Sequence, residues 1–298
     1  MKTYERTHPW LDFHLDISRA DYSLWRALGE AQTSCEYIAS MPLRPATAQM
    51  LYQIYLAKGT VATTSITTKG LTEEEALQHF EASAADCPEK AHLYRAIDNI
   101  AAASNDVLDK VLDGAQPVIT VQDMMRLNSM ILQDLELPDH VQGGQFRDQR
   151  VAVPDTLGAP AEDCSYLTDK LCGWLNSGNF YPPEGLSTVY GLLRAVVAHL
   201  YLTWIHPFGE GNGRTARLLE YQIMVSSGVT SPAAHLMSIH YSDTRDEYVR
   251  QILAALKEGG DILTFIEYAV QGFTQGLRDQ IQFIHDKQWF VDWHNVDD

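Results

Sequence analysis

The chain has 298 residues, 45% of them hydrophobic, enough to bury a sizeable core in one large domain or two modest ones. Its 22 basic and 39 acidic residues give a net charge of −17, which excludes a general attraction to nucleic-acid backbones or anionic membranes and makes any phosphate site a local one. Cys35, Cys87, Cys164 and Cys172 show no C-x-x-C spacing, no apolar run reaches the roughly 18 residues of a membrane span, and Met1 to His14 lacks the pattern of a secretory signal. A cytoplasmic protein with reduced thiols is the expectation.

In chain order, Asp16 to Ser40 sets Ile17, Leu24, Trp25, Leu28, Cys35 and Ile38 at helical spacing without an internal proline. Pro45 suits the first turn of a second helix, which Gly59 is expected to loosen at its end. Thr72 and Glu75 have the spacing of a capping box, and Pro88 opens a long helix to Asp113 that Gly114 closes. Thr120 with Asp123 starts the next, to about Leu135. The stretch Gly143 to Pro154 is glycine-led, partly alternating and stopped by proline, which predicts a short strand or hairpin. Helical periodicity returns at about Ala161–Asn176, Ser187–Ile205, Asn212–Ser226, Asp243–Lys257 and Asp261–His285, so the fold class is mainly α.

The chemistry concentrates in His206-Pro207-Phe208-Gly209-Glu210-Gly211-Asn212-Gly213-Arg214-Thr215-Ala216-Arg217, between two helical patterns. Pro207 disfavours helical geometry at His206, so the preceding helix should finish near Ile205 with the imidazole at its mouth. Gly209, Gly211 and Gly213 let successive N–H groups converge on an anion, and the start of the next helix adds unpaired donors and a positive dipole end. Arg214 and Arg217 share one helical face and can clamp phosphate oxygens. Glu210 offers one hard oxygen, as suits Mg²⁺ shared between a carboxylate and substrate phosphates. His206 is the only group here whose ordinary pKa is near neutral, hence the natural general base for a hydroxyl. These parts describe nucleotidyl or phosphoryl transfer. The segment lacks the Lys-Ser/Thr of a P-loop, its glycines are misplaced for G-x-G-x-x-G, and it follows a helix rather than a strand.

With seven fixed positions in H-x-F-x-x-G-N-G-R-x-x-R, the segment resembles the signature of the Fic family. The resemblance implies a Fic-fold helical bundle with a β-hairpin flap, and a protein adenylyltransferase that moves AMP from Mg²⁺-ATP to a Ser, Thr or Tyr hydroxyl of a protein target. His206 would be the catalytic base and Glu210 the metal ligand. Gly209, Glu210, Gly211, Asn212, Gly213, Arg214 and Arg217 would bind the nucleotide, and Phe208 would anchor the loop in the core. The hairpin near Phe146 to Pro154 would hold the target by strand addition, and Leu236 to Tyr248, with loop character before Arg245, would help form the nucleotide pocket. The implied organisation is an N-terminal helical region over 1–85, a catalytic domain over 86–285 and a tail over 286–298. Ala62 to Lys69 resembles the inhibitory motif of self-contained members, but Thr67 stands where that motif has Glu and cannot make its ion pair with the second arginine. Partners are ATP and a protein target, with room for the chain itself as target and for a homodimer, and with no nucleic acid or membrane.

Two alternatives accompany this reading: the same loop using another phosphate-containing donor or removing AMP, and a nucleotide-binding regulator without catalysis. His199, seven residues before His206, reads as a packed histidine rather than a metal ligand, for want of a third ligand at metal spacing. Arg147 and Arg150 read equally as ligand contacts or as charges protecting an edge strand. Trp289, Trp293 and His294 read as apolar docking of the tail.

Overall fold

The computed structural model describes residues 2–66, 70–81, 88–114, 118–150, 152–153, 156–257 and 261–292. Its helices are α1 (Tyr4–Thr7), α2 (Tyr22–Ser40), α3 (Pro45–Ser65), α4 (Glu73–Glu81), α5 (Ala91–Leu112), α6 (Val121–Ile131), α7 (Cys164–Leu175), α8 (Ser187–Ile205), α9 (Asn212–Ser226), α10 (Ser231–Ala234), α11 (Leu236–Asp243), α12 (Arg245–Lys257) and α13 (Leu263–Asp292). Local signals explain many ends. Thr120 and Asp123 form a reciprocal capping box at the start of α6, and Thr72 and Glu75 bond each other's backbone at the start of α4. Pro45 occupies the first turn of α3, and Gly114, at φ 81°, follows α5.

At the centre lies α8, buried on nearly every side, with Val196, Ala198, Leu200, Leu202 and Ile205 all at 0% exposure. By length and composition α8 could cross a bilayer, contrary to the expectation that no apolar run is long enough, and 83% of its apolar window is buried inside the protein. It packs on α9, α7 and α2, while α2 lies along α13. Leu24 and Leu28 of α2, Leu51 of α3, Leu200 of α8, Leu219 of α9 and Phe273 of α13 belong to one continuous core.

Three expectations need correction. Gly59 does not loosen α3, which runs on to Ser65; it admits His235, since a Cβ there would lie 2.3 Å from His235 Nδ1. The region before Arg245 is not a loop but the helix α11, its apolar residues too few to show a period over eight positions. The expected flap is not shown as a hairpin across Phe146 to Pro154. Gly143 to Arg150 forms turns and bends with a single bridge from Phe146 to Phe208, because its backbone groups bond the α8–α9 connection instead. The only strand pairing among the described residues is two residues long on each side, Ala152–Val153 against Thr156–Leu157, antiparallel, with Ala152 opposite Leu157. Cys87, Thr67, Trp293 and His294, and the side chain of Trp289, lie outside the described residues.

Candidate active site

The antiparallel turn from α8 into α9 carries the signature. His206 closes α8 in the left-handed conformation, φ 51° and ψ 57°, with its N–H donating to Leu202 O at 2.9 Å. Such a helix end normally takes glycine, and a side chain there costs on the order of 1 kcal/mol. The surroundings hold it by gripping three successive carbonyls. Ala159 N donates to Ile205 O at 3.2 Å, Arg147 Nε to His206 O at 2.7 Å, and Arg147 N to Pro207 O at 3.0 Å. Arg147, only 7% exposed, also donates to Gln149 O at 2.7 Å and to Ala159 O, so one guanidinium binds the end of α8 to both flanks of the strand pair. In the sequence Arg147 suits a ligand contact and an edge-strand charge equally; the structure makes it a clamp on His206. Burial holds the His206 imidazole down at about 4, with Arg147 acting the same way and the Thr203 backbone and Glu210 acting against it. At neutral pH the ring is therefore an unprotonated base.

The loop itself is pinned from inside. Phe208 is fully buried, its ring 5.7 Å from that of Phe146. Asn212 receives the Phe208 N–H on Oδ1 at 2.9 Å and donates from Nδ2 to Phe208 O at 2.8 Å. Its side chain is thereby used up in shaping the loop, and only its backbone N–H is left free. Asn128 of α6, fully buried, does the same from below. It donates to Glu210 O at 2.9 Å and to Thr215 Oγ1 at 3.1 Å, and accepts from Gly144 N at 2.9 Å. The signal for Asn128 was available, a polar residue within the apolar stripe of Met124, Leu127 and Ile131.

Gly211 precedes α9 with φ 78°, and a Cβ there would press on Ile131 at 3.1 Å and on Asn128 Nδ2 at 3.2 Å. Gly209 rests against Val141, and Gly213 lies next to the Arg217 guanidinium. The first-turn N–H groups of Asn212, Gly213 and Arg214 have no acceptor within the helix and point out of its positive end. Three N–H donors are thus free at the positive end of α9, the geometry that would suit an anion. Glu210, exposed at the rim, accepts on Oε1 from Gly211 N and from Arg214 Nη2, both at 3.0 Å. One carboxylate with a second oxygen to offer, beside a phosphate cradle, fits a Mg²⁺ shared with substrate oxygens and water; no cluster of three or more acidic, His or Cys ligands occurs among the described residues.

Arg214 and Arg217 separate in environment although they share a helix. The Arg214 side chain is 13% exposed and pairs with Glu210. Arg217 is 2% exposed, and its Nη2 donates to Thr63 O at 2.9 Å near the end of α3. Arg245 Nε reaches Ile66 O at 2.8 Å just beyond. From the segment that resembles the inhibitory motif, the structure thus brings a backbone carbonyl to the second arginine.

A mainly helical protein with a basic imidazole beside an anion cradle at a helix start is what these elements define. The family model described as Fic/DOC matches residues 118–224, and the chain is a Fic family protein. It is 34% identical over 110 residues to the protein adenylyltransferase Fic of Drosophila erecta, 37% of this chain and 20% of that one. To the protein of the same name from Culex quinquefasciatus it is 29% identical over 166 residues, 56% and 30% of the two chains. The match thus spans less than a third of these relatives. Among solved structures, Fic-1 (residues 134–508) of C. elegans superposes with a TM-score of 0.70 at 21% identity, covering 89% of this chain and 73% of that one. A Fic family protein of Desulfovibrio desulfuricans G20 gives 0.70 at 17% identity, covering 91% and 78%. These two likenesses concern the fold.

Proposed function

We propose that the chain transfers AMP from Mg²⁺-ATP to a Ser, Thr or Tyr hydroxyl of a protein. The observation that carries this is the pairing of an unprotonated His206, locked at the mouth of α8, with the phosphate cradle that opens α9 six residues later. His206 takes the proton of the target hydroxyl as its oxygen attacks the α-phosphorus. The bond from that phosphorus to the bridging oxygen of the β-phosphate breaks, and pyrophosphate leaves. The N–H groups of Asn212, Gly213 and Arg214 hold the phosphate oxygens, and Arg214 and Arg217 meet the outer phosphates. Glu210 is the residue that would hold Mg²⁺, which when bound neutralises phosphate charge. Ala152–Val153 and Thr156–Leu157 offer a short backbone edge on which a target strand could lie, the role of a flap. Adenylyltransferase relatives support the reaction class.

The test is incubation with ATP labelled on the α-phosphate, Mg²⁺ and a cell lysate, beside His206→Ala. Protein-bound label falling about 10²- to 10⁴-fold in the variant, with none arriving from γ-labelled ATP, is the expected result. Label independent of His206, or arriving from the γ-position, refutes AMP transfer by this base.

A further inference from the structure

Arg217 is a buried cation, and among the described residues no carboxylate forms an ion pair with it. Burial accordingly lowers its pKa, with Tyr248 and Glu220 acting against that shift. The two residues belong to one chain of contacts. The Tyr248 side chain neighbours the Arg217 guanidinium, whose Nη2 is bonded to Thr63 O, and its hydroxyl is 2.8 Å from His199 Nε2. His199 Nδ1 is 3.1 Å from Glu220 Oε2, and Glu220 Oε1 accepts the Tyr241 hydroxyl at 2.9 Å. His199, Glu220, Tyr241 and Tyr248 are exposed by 0%, 1%, 0% and 4%, and they come from α8, α9, α11 and α12.

A carboxylate placed between Leu219 and Tyr221 in the core is costly unless it answers a charge. The polarity of the chain supplies the answer. Glu220 lies against donors on both oxygens, and in the tautomer that donates from Nδ1 alone His199 would accept on Nε2 from the Tyr248 O–H. That orientation turns the lone pairs of the Tyr248 oxygen toward the Arg217 N–H groups. A carboxylate directly on Arg217 would occupy the fork that a phosphate must use; a polarised hydroxyl steadies one side and leaves the rest of the fork available.

We infer that Tyr248, His199 and Glu220 form a buried relay that fixes the Arg217 guanidinium and supplies its counter-charge through two intervening groups, making them positioning residues for the outer phosphates of the nucleotide. The inference rests on the reading above that Arg217 meets those phosphates.

Calorimetry with ATP and with AMP separates the possibilities. Tyr248→Phe is expected to weaken ATP about 10-fold, which corresponds to about 1.4 kcal/mol, to leave AMP within about two-fold, and to add nothing further in an Arg217→Ala background. Equal losses for ATP and AMP, or an additive loss on Arg217→Ala, overturn the relay while the phosphate role of Arg217 stands. If Arg217→Ala itself leaves the preference for ATP over AMP intact, the phosphate reading of Arg217 falls and the relay with it. Glu220→Gln should reproduce the effect of Tyr248→Phe. Should that variant fail to fold, the arginine Nε–H signals of ¹⁵N-labelled, ligand-free Tyr248→Phe protein decide: a displaced or faster-exchanging Arg217 signal supports the relay, and an unchanged one overturns it.

Discussion

At the rim of the signature loop, Glu210, its side chain half open to water, pairs with Arg214, which is mostly covered. One turn deeper, the Arg147 clamp and the Arg217 relay hold cations where water does not reach. Rim charges keep their hydration as an alternative, so their pairing contributes little to stability and is easily exchanged for a ligand. Interior charges have no alternative, and every acceptor left behind by a deletion stays unsatisfied. The contrast teaches that the site divides its charges by depth: rim groups are free to exchange partners and interior groups are held to one geometry.

The sharpest way to break this comparison is Arg147→Met, which strands the carbonyls of Gln149, Ala159 and His206. A loss on the order of 3 kcal/mol or more in urea unfolding is expected, together with loss of transfer activity as His206 relaxes. A loss below about 1 kcal/mol would place Arg147 with the rim. A second effect follows from buried histidines. Burial depresses both His206 and His235 to about 4 from the ordinary 6.5. As pH falls through that window the unfolded chain takes up protons that the folded chain refuses, so stability falls by up to about 1.4 kcal/mol per pH unit for each of the two. Unfolding midpoints at pH 7 and pH 5 check this, and His235→Leu should flatten the decline. The smallest effect belongs to Arg214→Ala, expected to change unfolding stability by less than about 1 kcal/mol. A larger loss would show the rim pair to be structural.

The same division by depth decides what was legible in the sequence. His206, Glu210, Gly211, Asn212, Gly213, Arg214 and Arg217 stand together in the chain, and the structure brings them to one turn because adjacent residues cannot do otherwise. The ends of α8 and α9 were equally legible, set by Pro207 and the glycines. Arg147, Asn128, Glu220 and Tyr248 act on that turn from elsewhere in the chain, and their partners are backbone carbonyls or other buried polar groups that no spacing rule connects. What marked them was negative, a polar residue where an apolar stripe should continue, as for Asn128 in α6, His199 in α8 and Glu220 in α9. The side-chain part of Asn212 was illegible for a related reason: only the fold reveals that its amide is spent on Phe208, which leaves its backbone N–H at the helix start.

The left-handed end of α8 carries a further consequence for how this protein can be altered. A library screened only for thermal robustness would be drawn to glycine at position 206, where the backbone angles suit it and the imidazole's desolvation would vanish. Directed evolution toward stability therefore runs straight through the residue proposed as the base, and a selection that scores turnover alongside robustness is needed to keep it.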